Sequence, residues 1–81
     1  MLNLNPNEGR KAIEGLSEPE LQSLQLTAEG KSKPDIAKQI HRSTATIASH
    51  LKNCAIKLGV INTSRPTVAA VAKGYQLGLL S

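Results

Sequence analysis

Eighty-one residues with one cysteine and one aromatic side chain hold a single small core, with no room for a second. Cys54 alone excludes an internal disulfide, and with His41 and His50 it is too little for a closed four-ligand zinc site. The formal net charge of +4 is unevenly spread: six acids and four Lys/Arg lie in residues 1–35, whereas residues 36–81 hold six Lys/Arg and no acid.

No apolar run is long enough to span a bilayer and nothing resembles a signal peptide, so with a lone thiol the chain is expected in a reducing cytoplasm, with no membrane partner. Strand signals are weak, and neither repeats nor low-complexity tracts occur. Helix signals are frequent. Asn5-Pro6-Asn7-Glu8 predicts a short helix over about 6–14, ended by Gly15. Ser17 with Glu20 forms a capping box for a second helix, with Leu21, Leu24 and Ala28 at helical spacing and Gly30 as its stop. Ser32 with Asp35 repeats the box for a third, short helix with Ile36, Ala37 and Ile40 turned inward, and Pro34 is tolerated in its first turn. Ser43 caps a fourth helix to about Leu58, stopped by Gly59, in which Ile47, Leu51, Cys54 and Leu58 form one buried stripe. A fifth follows Arg65-Pro66-Thr67 with Val68, Val71, Ala72 and Tyr75 on one face, closed by Gly78.

His41-Arg42-Ser43 alone separates the third and fourth helices, which forces a sharp turn. Two readings of that spacing are open: an ordinary corner in a small bundle, or a helix-turn-helix with the fourth helix presented to DNA. The basic half likewise reads either as a solvated surface or as a face for polyanions. Enzyme chemistry finds no support: there are no paired carboxylates, no Cys/His arrangement with an orienting acid and no phosphate-cradling glycine loop.

Further residues fall in register. Leu16-Ser17-Glu18-Pro19-Glu20, Leu24, Ala28-Glu29-Gly30-Lys31-Ser32, Asp35-Ile36-Ala37, Ser43, Thr46-Ile47, His50, Asn53, Lys57-Leu58-Gly59-Val60, Ala70-Val71-Ala72-Lys73 and Leu77-Gly78-Leu79-Leu80 occur in order and almost without a gap. This set, covering about 16–80, resembles the LuxR/GerE (NarL/FixJ-like) DNA-binding domain of bacterial transcription regulators. The resemblance implies an all-α, four-helix helix-turn-helix domain over residues 16–81, with residues 1–15 as an extra short helix or arm. It further implies a recognition helix at about 44–58 in the major groove and dimerisation through the last helix. The expected ligand is an inverted-repeat promoter site in double-stranded DNA, with no cofactor and no metal; RNA polymerase or a related regulator are candidate protein partners. Because relatives often carry a sensor or receiver domain ahead of this one, the chain is expected to be either a stand-alone regulator or a fragment.

By the same resemblance Ala48, Ser49 and Lys52 face base edges. Lys52 can donate to guanine O6/N7, Ser49 can serve several bases, and an alanine methyl can touch a thymine methyl. Arg42, Thr44, Thr46, His50, Asn53 and Lys57 are the expected phosphate contacts, with Lys31, Lys33 and Lys38 as nearby additions. For His50 two roles stand, a phosphate donor or a packing residue against the first helix. Cys54 and Tyr75 are read as packing residues. Ala69, Ala70, Lys73 and Gly74 are the expected dimer seam, since a small outer face permits close approach. The sequence departs from the family pattern at Ala45, Ala48 and Ile56, where relatives often carry basic residues, and in a loop at 61–67 that is about three residues longer. These departures motivate a second hypothesis, an interaction module with weakened DNA affinity that pairs with a related regulator.

Overall fold

The computed structural model describes residues 15–81, which form four helices: α1 (Glu18–Ala28), α2 (Lys33–Gln39), α3 (Thr44–Lys57) and α4 (Pro66–Gln76). The short helix expected at about 6–14 lies outside the described residues. Three of the four open on a serine. Ser17 Oγ accepts from the Glu20 backbone N–H at 3.3 Å, and Glu20 Oε1 accepts from the Ser17 backbone N–H at 2.9 Å, so the reciprocal box is complete. At α2 only half of the expected box forms. Ser32 Oγ accepts from the Asp35 N–H at 3.3 Å, but the aspartate is one methylene shorter than a glutamate and makes no return bond. Ser43 Oγ accepts from the Thr46 N–H at 3.1 Å. Helix α4 starts on Pro66, and its N-cap Arg65 provides no side-chain bond.

All four helices end in one motif. In each, a residue with positive φ follows the C-cap, and the next N–H reaches back five positions: Lys31 to the Leu26 carbonyl at 3.0 Å, Arg42 to Ala37 at 2.9 Å, Val60 to Ala55 at 2.9 Å and Leu79 to Gly74 at 2.8 Å. Gly30, Gly59 and Gly78 take the left-handed position at φ 90°, 75° and 75°, but after α2 it is held by His41 at φ 57°. The sharp turn between α2 and α3 is therefore a helix stop followed at once by the Ser43 cap.

Helix α3 is the hub, packed against the other three. Its stripe of Ile47, Leu51, Cys54 and Leu58 is buried as expected and meets Leu16, Leu24, Ile36, Ala37 and Ala70. Each such aliphatic side chain contributes about 1.5–3 kcal/mol by leaving water.

Of the expected apolar face of the last helix only Val71 packs against the core, and the remaining three residues face outward. Val68 is 61% and Tyr75 48% exposed, and Ala72 is exposed as well, whereas Ala70 and Gly74 are buried. The two faces differ by about half a revolution at 3.6 residues per turn. Size explains the choice. A Cβ on Gly74 would lie 2.9 Å from Leu80 Cγ and Cδ1 and 3.5 Å from Leu24 Cδ2, so this notch is filled by the carboxy-terminal leucine folding back. Leu80 is buried there, and the tail is held to α1 by the Gln25 side chain, which donates to the Ser81 carbonyl and accepts from its N–H, both at 3.4 Å.

Candidate nucleic-acid interface

Helix α3 carries a second stripe parallel to the buried one. Ala45, Ser49, Lys52 and Ile56 repeat the spacing of Ile47, Leu51, Cys54 and Leu58 two positions earlier. Two residues rotate the helix by about 200°, so the four face away from the core, and all are exposed together with Ala48 and Asn53. Among the described residues none of the side chains of Ser49, Lys52 and Asn53 has a hydrogen-bond partner within the chain. Arg42 and Thr44 are exposed at the amino-terminal end of this face. Thr46 is half-buried, and its hydroxyl shares a 2.8 Å hydrogen bond with Ser43 Oγ. Since a hydroxyl has one hydrogen and two lone pairs, Thr46 keeps capacity for a further acceptor or donor.

A third face of α3 turns to α1, and there every polar group is engaged. His50 Nδ1 lies 3.4 Å from Ser23 Oγ, whose proton goes to the Pro19 carbonyl at 2.8 Å. Ser23 therefore accepts, and the imidazole proton sits on Nδ1. Cys54 Sγ donates to the Glu20 carbonyl at 3.3 Å. Lys57 Nζ reaches Glu20 Oε1 at 2.6 Å, the ion pair present among the described residues. Of the two readings of His50, the contact with the first helix of the domain is made. Lys57, expected at phosphate, has its ammonium committed to Glu20.

The electrostatics of this face follow from burial and pairing. Burial of the Glu20 carboxyl alone would raise its pKa, but the bonds from Lys57 and the Ser17 N–H outweigh that and hold it below the ordinary glutamate value. Burial, with the Glu20 charge adding, pushes the Cys54 thiol up to about 11, so Cys54 is a neutral core donor and not a nucleophile. Among the described residues no three of His, Cys, Asp and Glu gather closely enough to hold a metal ion, and no helix there is long and apolar enough to cross a membrane.

The expected seam divides. Ala70 is fully buried and Gly74 is covered by Leu80, while Ala69 and Lys73 are half-exposed. A second copy cannot reach the first two, and the open apolar stripe on α4 is Val68, Ala72 and Tyr75 at i, i+4 and i+7. Sequence reasoning missed the roles of Glu20, Ser23 and His41 beyond caps and turns. The signal for His41 was its place one residue past a helix C-cap, where the other helices carry glycine.

A short helix, a tight left-handed stop and a second helix with an unpartnered polar outer face define the helix-turn-helix class of DNA-binding domain. Residues 14–72 match the family model GerE, described as bacterial regulatory proteins of the luxR family. The chain belongs to that family and carries the DNA-binding domain of a transcription regulator. No curated protein and no solved structure matches it.

Proposed function

We propose that the chain regulates transcription by binding an inverted-repeat DNA site as a dimer, with α3 in the major groove. The observation that carries this reading is the outward stripe of α3: exposed, unpartnered among the described residues, and set in a stretch from Ile36 to Ser81 that contains no acid. Ala48, Ser49 and Lys52 are the base-reading residues, with Lys52 donating to guanine and the shorter side chains allowing close approach. Arg42, Thr44, Thr46 and Asn53 meet phosphates and fix the register. His50 is kept for its contact with Ser23, since with the proton on Nδ1 its Nε2 has no hydrogen to give a phosphate, and Lys57 belongs to the ion pair with Glu20. The dimer seam is the open stripe Val68, Ala72 and Tyr75, whose burial would remove the largest exposed apolar groups of α4 from water.

Fluorescence anisotropy with a generic duplex across a salt series tests the DNA reading. Binding should weaken linearly in log K against log salt, as counterion release requires. Absence of binding at low salt by folded protein would refute it and favour the interaction-module reading. Light scattering on Tyr75→Glu tests the seam: the variant should be monomeric where the parent chain is dimeric.

A further inference from the structure

Ile56 is half exposed, at 50%, and lies on the reading stripe. With Lys52 taken as the origin, a helix of 3.6 residues per turn places Ala45 at about 20°, Ser49 at about 60° and Ile56 at about 40° around the axis. Ile56 therefore sits between the two polar members of the stripe. It also continues the stripe along the axis, the span from Ala45 to Ile56 rising about 16 Å. Ile56 lies in the last turn of the helix and Ala45 in the first. No other group on this stripe except Lys52 carries charge, and methyl groups dominate it: Ala45, Ala48 and the two of Ile56.

We propose that Ile56 is a specificity-determining residue that reads the C5-methyl of a thymine under the last turn of α3. This rests on the DNA-binding reading above and deepens it by naming the class of site: a half-site with thymine beyond the base pair that Lys52 contacts. The major groove offers one apolar feature to such a side chain, the thymine methyl. The stretch from Ile36 to Ser81 that carries the stripe holds six Lys/Arg and no acid, which favours a polyanion over an apolar protein partner. An exposed isoleucine in place of a basic residue gives up phosphate attraction, and a methyl contact replaces it with discrimination between bases.

The test begins with selection of the preferred duplex from a random library by the full chain. Each thymine of that duplex is then replaced in turn by deoxyuridine, which removes only the C5-methyl, and binding is measured for the parent chain and for Ile56→Ala. One position in each half-site should lose about fourfold in affinity with the parent chain, the worth of one buried methyl-sized group, and nothing with Ile56→Ala. Ile56→Lys should bind all duplexes more tightly, with a steeper salt slope, and lose the same methyl preference. Methyl removal that affects both proteins equally at every position overturns the role of Ile56 while leaving DNA binding intact. So does a change of oligomeric state on Ile56→Ala without any change in methyl preference. Failure to select any duplex overturns both readings together. Half of the Ile56 surface is already in solvent, so both variants keep the core, which circular dichroism checks.

Discussion

Two polar faces of the same helix have opposite fates. On the side of α3 turned to α1, His50, Cys54 and Lys57 each meet a partner, and the longest of these contacts is 3.4 Å. On the outward side Ser49, Lys52 and Asn53 meet none within the described residues. Lys52 and Lys57 are the same residue type five positions apart, yet Lys57 is bound into the fold through Glu20 and Lys52 stands in solvent. The inner face sets the angle at which the outer one is presented, so loss at either face should be distinguishable by what it spares.

The sharpest way to break the comparison is to replace the outward lysine, Lys52, by alanine. Lys52→Ala should lower affinity for the selected duplex by about 1–3 kcal/mol and relax the preference at one base pair. Its unfolding free energy should stay within about 0.5 kcal/mol of the parent chain, as befits an exposed residue. If Lys52→Ala binds DNA as the parent does, the outward stripe is not the reading face.

On the inner face, Glu20→Gln should cost about 1–2 kcal/mol of stability, since the cap bond survives in weakened form and Lys57 is 39% exposed on its side chain. The pH dependence follows from the lowered folded pKa. The unfolded chain holds that proton more tightly, so the stabilisation is complete above the ordinary glutamate value of 4.5 and is lost as pH falls through the lower folded value. Urea unfolding from neutral to acid pH should show a flatter acid limb in Glu20→Gln than in the parent chain. Equal limbs would mean that the ion pair contributes nothing to the fold. Cys54 offers a companion test: a thiol reagent at mildly alkaline pH should leave the folded protein unlabelled and label it in denaturant, because the thiol is buried and its pKa stands at about 11.

These tests also show where the sequence was informative. Serine caps, glycine stops and the stripe of Ile47, Leu51, Cys54 and Leu58 are local patterns, and the helices and the outward stripe of α3 follow from them. The fate of Lys57 is not local, because Glu20 lies 37 positions away and no spacing rule connects them. Helix α4 failed for a different reason. Both of its faces are apolar or small, so periodicity identifies a helix without choosing its inner side. The choice is made by Leu80, whose seat needs the missing side chain of Gly74.

The smallest expected effect concerns the stop after α2, where the comparison is between one helix end and the other three. Gly30, Gly59 and Gly78 accept positive φ without a Cβ, whereas His41 holds φ 57° at a cost of about 1 kcal/mol for an L side chain. His41→Gly removes that cost, and the greater freedom of glycine in the unfolded chain takes back part of the gain, leaving about 0.5 kcal/mol of added stability in thermal or urea unfolding. The Arg42 N–H bond to Ala37 at 2.9 Å keeps the turn in place, so α3 should present the same face and DNA affinity should be unchanged. A stabilised variant that binds duplex less well would mean that the exposed imidazole itself meets phosphate, and that the strained backbone at the turn is kept for the contact its side chain makes.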